Sequence, residues 1–232
     1  MDKYSLHARI YPMVIFFMPI IILGIFYSII YKEVYQSLSS LGLTAVLTYF
    51  LSHIGRDRGK LKEPALWKRW GGMPSIQILR TTDNHLDTAT KSRYILKLSQ
   101  ICPVQTTGNQ AQDQDIQIQA WTKFLISHTR DTKKYPLLFK ENMNYGFRRN
   151  LWALKGLSIG FIFICLAGNY LYQSIEKGFH AFSTFPASFY ISESVLLLLL
   201  VVWIFVITSS WVKIPAFAYA ERLLETSEVL PN

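Results

Sequence analysis

Cysteine is scarce in this chain, and its positions exclude most cysteine chemistry. Only Cys102 and Cys165 occur among the 232 residues. Cys165 lies inside an apolar run whereas Cys102 lies in a polar region, so we expect no disulfide between them. The sequence has no CxxC pair and no Cys/His spacing typical of zinc. We therefore predict no metal site and no cofactor, and no residue stands out as catalytic.

Charge is absent from the middle of four apolar runs, which are Tyr11–Ile30, Leu38–Ile54, Gly156–Tyr172 and Ser194–Val212. A membrane-spanning helix needs about 20 mostly apolar residues. The first and last runs are long enough, and the middle two are near the lower limit of about 17 residues. Because ion-coupled carriers place ionisable groups within their spans, this absence argues against a secondary transporter.

The four runs form two pairs with a long polar segment between them. This arrangement predicts an all-α membrane protein with four transmembrane helices in two pairs and a cytoplasmic, mostly helical insert. The predicted parts are a transmembrane hairpin at 1–54, the insert at 55–150, a second transmembrane hairpin at 151–212 and a tail at 213–232.

Basic residues are concentrated in the insert. Residues 55–150 hold 17 Lys and Arg against 8 Asp and Glu, whereas the rest of the chain holds seven of each kind. Lys and Arg close to membrane spans stay on the cytoplasmic side. We therefore predict that the insert and both termini are cytoplasmic, and that the connectors Tyr31–Ser37 and Gln173–Glu193 face outward.

Proline and alternating residues mark local structure around the insert. Pro64 is expected to begin a new helix over Ala65–Trp70. Ser75–Leu79 alternates Ile with polar residues, which fits a short strand. Pro136 is well placed as the first residue of a last helix, and that helix is expected to continue into the third span.

Two further segments of the insert have helical spacing. His85–Gln100 repeats its apolar residues at helical intervals, and Asp83 is a suitable N-cap for it. Asp115–Thr129 has the same spacing, although the Ile-Gln-Ile-Gln alternation leaves a strand open for Asp115–Ala120. We therefore predict a mostly helical insert with at most short strands.

Four arginines stand where the second and third spans meet the insert, namely Arg56, Arg58, Arg148 and Arg149. If the two spans are antiparallel neighbours, these side chains meet at one inner-leaflet patch. Such a patch binds anionic lipid, a nucleotide phosphate or an RNA backbone. We favour the simpler interpretation that these arginines only keep their end of each span on the cytoplasmic side and extend their side chains to the membrane surface.

Two other segments carry unusual side chains near the predicted membrane surface. Tryptophans, cations and two glycines follow one another at Trp67, Lys68, Arg69, Trp70, Gly71 and Gly72, which is typical of an interfacial collar. A glycine loop that cradles a ligand is the alternative. A second polar group is formed by Glu141, Asn142, Asn144, Tyr145 and Asn150. It is either a structural network that joins the insert to the span or a gate or ligand site.

Small residues mark one face of the third span. Gly156, Gly160 and Gly168 allow close helix packing in lipid, either within the chain or between subunits. We therefore predict a homo-oligomer. The other predicted partners are a bilayer that contains anionic lipids and a cytoplasmic protein or a nucleotide, and we do not expect nucleic acid.

Several strings of residues carry a resemblance to a known family. They are Arg56-Asp57-Arg58-Gly59-Lys60, Leu66-Trp67, Trp70-Gly71-Gly72-x-Pro74, Leu79-Arg80 and Glu141-Asn142-x-x-Tyr145-Gly146-Phe147-Arg148-Arg149-Asn150. This pattern resembles an uncharacterised family of bacterial four-span inner-membrane proteins. The resemblance implies a bacterial inner-membrane location and no particular activity. The four-span plan is also similar in architecture to membrane effectors of antiphage systems.

Two classes of function are compatible with these observations. In the leading one, the cytoplasmic insert of an integral inner-membrane protein senses a ligand or partner and couples it to an oligomeric transmembrane bundle. A pore-forming or membrane-perturbing effector is one version of this. The alternative is a membrane-embedded enzyme that acts on a lipid or nucleotide phosphate and binds the anion through the insert arginines.

Overall fold

The computed structural model describes residues 3–28, 41–80, 82–104, 110–179 and 182–231, with side chains for 3–27, 53–80, 82–104, 113–179 and 183–231. Within these ranges the regular structure is helical throughout and contains no strand. The predicted all-α fold class is therefore confirmed for the described part of the chain.

Eight helices of six residues or more are present in the described ranges. They are α1 (Tyr11–Ser28), α2 (Leu41–Trp70), α3 (Pro74–Leu79), α4 (Thr88–Ile101), α5 (Gln110–His128), α6 (Pro136–Lys177), α7 (Ala187–Val201) and α8 (Ser209–Glu225). A π-helical turn, Leu6–Ile10, leads into α1, and a second one, Val202–Val206, extends α7.

Three helical segments are long and apolar enough to cross a membrane, namely Lys3–Tyr27, Pro136–Lys177 and Ala187–Val206. The second of them contains the predicted third span, and the other two overlap the predicted first and fourth spans. The predicted second span, Leu38–Ile54, lies partly outside the described residues, because residues 38–40 and the side chains of 41–52 are not described. Its backbone is helical from Leu41 onward. The plan of four spans therefore stays a prediction.

The chain divides into two compact units. We call Met1–Lys62 with Gly146–Trp211 the apolar unit, and Glu63–Tyr145 with Val212–Asn232 the polar unit. Helices α2, α6 and α8 each contribute residues to both. The segment predicted as a C-terminal tail belongs to the polar unit.

Large side chains fill the interior of the apolar unit. Phe16 of α1 stacks on Phe161 of α6, with 5.4 Å between the ring centroids. Trp203 is fully buried beside α6 and α7 residues. The buried cluster consists of Met13, Leu151, Leu154, Ile162, Cys165, Leu196, Leu200, Trp203 and Ile207.

The polar unit has its own core. Trp121 is buried and donates its indole N–H to the Cys102 carbonyl at 2.9 Å, so its one polar atom is satisfied. Helix α3 packs on α5, where the buried hydroxyls of Thr122 and Ser75 are hydrogen-bonded at 3.0 Å. Helix α4 packs on the final 3-10 turn Thr226–Val229.

Two local predictions, one based on a proline and one on alternating apolar residues, are wrong because burial of apolar side chains favours helices at both places. Pro64 lies inside the continuous helix α2 rather than at the start of a new one. An interior proline costs about 3 kcal/mol, which burial of the neighbouring Leu66 and Trp70 helps to offset. Ser75–Leu79 is part of helix α3, not a strand. Pro74 favours a helix start, and Ile76 and Ile78 are both buried.

The start of α4 is also corrected. The helix begins at Thr88, and its N-cap is Asp87, whose carboxylate accepts from the Thr90 N–H at 2.8 Å. Hydrogen bonds from the Thr90 side chain and backbone lower the pKa of Asp87. Asp83, the predicted cap, instead accepts from the His85 N–H in the preceding turn. Helix α5 is unbroken, so the alternative strand at Asp115–Ala120 is wrong.

The fourth apolar run does not form one helix to Val212. Helix α7 begins at Ala187, after an extended Pro186, and its π-helical extension ends at Val206. Ile207 then leaves the helical conformation, with ψ at 78°. The Thr208 hydroxyl accepts from the Trp211 N–H at 3.2 Å and thereby caps α8. By contrast, Pro136 begins the 42-residue α6, as predicted.

Candidate functional site

Three segments of the apolar unit meet at Asn150. This side chain is 1% exposed, and its amide donates to the Ala8 carbonyl at 2.6 Å. On the other side, a Cβ added to Gly59 would lie 2.0 Å from the Asn150 Oδ1 and 3.3 Å from its Cα. The segment before α1, helix α2 and helix α6 therefore touch at one residue, which we call the Asn150 contact.

Two more glycines allow the close approach around this contact. A Cβ on Gly55 would lie 3.0 Å from the sulfur of Met13. One on Gly146 would lie 2.9 Å from the hydroxyl of Tyr4 and 3.0 Å from the Cβ of Ala8. Gly55 and Gly59 are four residues apart and share one face of α2. Small residues thus allow both neighbours to pack closely on α6.

The glycines that the sequence analysis selected for helix packing are placed differently. Within the described residues, nothing lies within 4 Å of a Cβ added to Gly156, Gly160 or Gly168. These three residues therefore do not mediate close packing with the described part of the same chain. Packing between subunits stays a prediction.

Arginines flank every residue of the Asn150 contact. Arg9 follows Ala8, Arg58 precedes Gly59, and Arg149 precedes Asn150. Arg149 is 7% exposed, and its Nε donates to the Asn150 Oδ1 at 3.3 Å. Of the four arginines predicted as an anion patch, Arg149 therefore touches Asn150 directly, and Arg58 is the residue next to Gly59 on α2.

Two of these guanidinium groups have an unsatisfied buried donor. The Nε atoms of Arg9 and Arg58 are inaccessible to solvent and have no hydrogen-bond partner among the described residues. Arg9 lies over the Tyr4 ring, with its guanidinium carbon 5.7 Å from the ring centroid. Unpaired buried donors are rare in folded proteins, and each one indicates strain, water or a missing ion.

The other two predicted arginines have different surroundings. Arg148 donates to the Trp211 carbonyl at 2.9 Å, and its guanidinium carbon lies 4.6 Å from the indole centroid. The Arg148 guanidinium therefore makes both a hydrogen bond and a cation–π contact with Trp211. Arg56 is half-buried on α2.

Lys155 is a site residue that sequence reasoning missed. Its ammonium donates to the carbonyls of Ile204 and Ile207, at 2.7 and 3.0 Å. These carbonyls lie in the segment where α7 changes to a π-helical turn and then ends, and a cation stabilises such a helix end. Arg148 and Lys155 are seven residues apart and share one face of α6. This seven-residue spacing is the sequence pattern that indicates two cations, which bind carbonyls on either side of the break between α7 and α8.

The missed Arg9 carries a weaker signal. It lies two residues before the first apolar run, where positive charge is expected from topology alone. Arg9 lies near Asn150 because the carbonyl of the preceding Ala8 accepts a hydrogen bond from Asn150, 142 positions along the chain. Residue spacing does not reveal such a distant partner.

The predicted collar is a helix end in the polar unit. Gly71 and Gly72 have φ of 88° and 140°, which only glycine adopts readily. Their N–H groups donate back to the Lys68 and Trp67 carbonyls, which is a Schellman ending. These N–H groups are therefore committed to the helix and do not cradle a ligand. Trp70 is buried and packs edge-on against Phe217, whereas Lys68 and Arg69 are exposed.

The predicted junction network divides between the two units. In the polar unit, Tyr145 donates its hydroxyl to Glu63 at 2.5 Å, and Asn144 lies 3.4 Å from Glu141. Asn150 belongs to the apolar unit and has the contacts described above. Asn142 is half-buried on α6.

Comparison with known proteins leaves the family open. The chain matches no family model, no curated protein and no solved structure. The resemblance to four-span bacterial inner-membrane proteins therefore stays a prediction.

Proposed function

We propose that this protein is a non-enzymatic membrane component that binds a phosphate group at the Asn150 contact. The observation that supports the proposal most strongly is the pair of buried Nε donors on Arg9 and Arg58, which have no partner among the described residues. An N–H donor that is buried without a partner is costly, and an anion that accepts from it removes that cost.

Phosphate is the anion that fits this donor set best. Arginine presents a planar fork that binds phosphate oxygens in pairs. Three arginines flank the contact, and no carboxylate is paired with Arg9 or Arg58 within the described residues. A lipid headgroup and a nucleotide both provide this group, and both are available on the cytoplasmic side where basic residues reside.

Binding at this contact has a direct route to the spans. Asn150 and Lys155 lie on the same helix, and Lys155 holds the carbonyls at the end of the broken α7. We propose that α6 relays ligand binding to this break within an oligomeric bundle. The open face at Gly156, Gly160 and Gly168 provides a surface for a second copy. The location that we propose is a bacterial inner membrane, with the 55–150 insert in the cytoplasm.

The test compares charge-conserving variants. Arg9→Lys and Arg58→Lys keep the positive charge but lose the Nε donor and the paired geometry, and Arg130→Lys is the control because Arg130 is exposed in the polar unit. The melting temperature of the purified full chain in neutral detergent is followed during titration with phosphatidylglycerol and, separately, with ATP and inorganic phosphate. Both site variants are expected to weaken the apparent affinity about tenfold, and the control is expected to match the wild type.

The two titrations separate the sources of phosphate. Stabilisation by phosphatidylglycerol alone identifies a lipid headgroup, and stabilisation by ATP or inorganic phosphate identifies a soluble ligand. If no titration stabilises the wild type, or if both Lys variants bind as the wild type does, the proposal fails. Positive-inside topology then accounts for these arginines.

A further inference from the structure

Three helices of the apolar unit expose large apolar side chains to their surroundings. On α1 these include Ile20 and Ile25, on α6 Phe163, and on α7 Leu198 and Phe205. Each of these side chains is more than half exposed. A water-soluble protein rarely exposes large apolar patches, so these helix faces require a partner that is itself apolar.

The exposed apolar part of α6 has a defined length. No charged residue occurs between Lys155 and Glu176, and we call residues 156–175 the charge-free segment. At a rise of 1.5 Å per residue, this segment of helix is about 30 Å long. That length equals the thickness of the hydrocarbon core of a bilayer, which is about 30 Å.

The Lys155 end of this segment has the side chains that are typical of a membrane surface. Trp152 lies there, and the ammonium group of Lys62 is 6.0 Å from its ring centroid. The guanidinium carbon of Arg148 is 4.6 Å from the ring centroid of Trp211. Tryptophan rings and long cationic side chains favour the level of the lipid headgroups.

The break between α7 and α8 lies at the same end. Lys155 donates to the carbonyls of Ile204 and Ile207, where the helix stops. Backbone groups that lack a helical partner are costly in hydrocarbon, because no water reaches them there. At the headgroup level both Lys155 and water are available to these carbonyls. A bilayer surface at Lys155 therefore explains why the helix is able to break at this point.

The Glu176 end of the segment carries tyrosine side chains. Tyr172 donates its hydroxyl to Glu176 at 2.7 Å. Its ring packs edge-on against the ring of Tyr27 of α1, with 5.4 Å between the centroids. Tyrosine is enriched at membrane surfaces, because its ring is apolar and its hydroxyl is polar. Both ends of the charge-free segment thus match a bilayer surface.

Glu193 lies between these two ends but faces a neighbouring helix. The sequence analysis placed it in an outward connector, whereas α7 begins at Ala187 and includes it. Its side chain is half-buried and accepts from the amide of Asn169 of α6 at 2.7 Å. Ionisable residues within membrane spans usually face the interior of the bundle. This carboxyl group is therefore compatible with an apolar exterior of α7.

We infer that a phospholipid bilayer encloses the apolar unit between the levels of Lys155 and Glu176, with the break between α7 and α8 at its Lys155 surface. The competing occupant of the exposed faces is a second copy of the chain. The length of the charge-free segment and the aromatic and cationic side chains at its ends favour lipid. The inference goes beyond the proposed phosphate function and does not depend on it.

The test measures depth at two exposed positions of α7, which leaves the glycine face of α6 unchanged. Leu198→Cys and Phe205→Cys each carry a fluorescent label in a full chain made free of other cysteines by Cys102→Ala and Cys165→Ala. The protein is placed in nanodiscs of phosphatidylcholine that carries bromine, a quencher, either near the headgroup or near the end of the acyl chain. Leu137→Cys is the matched control, because Leu137 and Leu198 are 61% and 65% exposed but Leu137 lies outside the charge-free segment of α6.

The three labels are expected to differ. The Leu198 label should lose most of its fluorescence with bromine at the chain end, because it lies near the middle of the span Ala187–Val206. The Phe205 label should be quenched more by bromine near the headgroup, because the adjacent Ile204 carbonyl is bound by Lys155. The Leu137 label should keep its fluorescence in both lipids.

Any other pattern overturns the inference. An unquenched Leu198 label shows that protein or water covers this face of α7. Quenching of the Leu137 label as strong as that of the Leu198 label shows that the bilayer is not confined to the apolar unit. Equal depths for the Leu198 and Phe205 labels place the break away from the membrane surface. Should the cysteine-free chain fail to fold, the same labels are read with Cys102 and Cys165 retained, and the labelled wild type serves as the blank.

Discussion

The contact between α2 and α6 should fail when Gly59 gains a single methyl group. In Gly59→Ala the new Cβ lies 2.0 Å from the Asn150 Oδ1, so the Asn150 side chain must rotate away. Its 2.6 Å hydrogen bond to the Ala8 carbonyl is then lost. Rotation does not remove the whole clash, because the Cα of Asn150 is 3.3 Å away and belongs to the backbone. The helices must therefore also separate.

The expected cost follows from these two losses. Overpacking costs about 1–3 kcal/mol, and a buried hydrogen bond that is left unmade costs about 1–3 kcal/mol. The gain from replacing glycine in a helix is about 1 kcal/mol. We therefore expect Gly59→Ala to lower the free energy of unfolding by about 1–5 kcal/mol, which is seen as a lower melting temperature in detergent.

Gly24→Ala is the matched control, because Gly24 lies inside α1 and its Cβ meets nothing within 4 Å in the described structure. This variant should be neutral or slightly more stable. In the double variant Gly59→Ala/Asn150→Ala the clash with Oδ1 is absent, so the two losses should be less than additive. If Gly59→Ala melts at the same temperature as Gly24→Ala, the close contact is refuted.

Three further variants test other contacts. Lys155→Met should lower the free energy of unfolding by about 2 kcal/mol, and with it the melting temperature, because two carbonyls at the end of α7 lose a charged donor. Lys155→Arg keeps a charged donor and should recover part of this stability. Gly71→Ala should cost about 1 kcal/mol, because φ is 88° at this position, and circular dichroism melts of the full chain would measure it. Asp87→Ala should reduce stability at neutral pH. Because the folded state lowers the pKa of Asp87, the deficit should be full above about pH 4 and should vanish as the pH falls through the lowered value.

Features that depend on neighbouring residues could be predicted from the sequence. The long helix from Pro136 into the third apolar run was predicted because proline favours the first helical position and no later residue breaks the pattern. The three candidate spans were visible as apolar runs for the same reason. The local sequence alone is therefore enough to predict these helices.

Features that depend on distant partners could not be predicted. The break after Val206 is stabilised by Lys155, about 50 positions away in the sequence, and nothing in the run Val202–Val212 reveals it. Alternation at Ile76 and Ile78 suggested a strand, but both residues are buried in a short helix, so alternation carried no information about period. The glycines of closest contact were missed because spacing does not show which face meets a neighbour.

The Asn150 contact and the unsatisfied arginine donors are adjacent in the sequence. Gly59 holds α2 close against Asn150, and the Nε of the preceding Arg58 is buried with no hydrogen-bond partner among the described residues. A phosphate would therefore bind only while the contact is formed, so ligand binding and helix packing must be linked. A ligand at 100 times its dissociation constant adds about 2.7 kcal/mol to the stability of the form that binds it.

This linkage gives a last prediction, which separates a built site from general surface attraction. In Gly59→Ala the arginines are unchanged, but the contact that positions them is opened. Stabilisation by the phosphate ligand should fall sharply in this variant and stay at the wild-type level in Gly24→Ala, when both are measured by the same thermal titration. Attraction to an anionic surface depends on charge alone and would be equal in the two variants. Equal stabilisation would therefore show that the phosphate does not require the Asn150 contact.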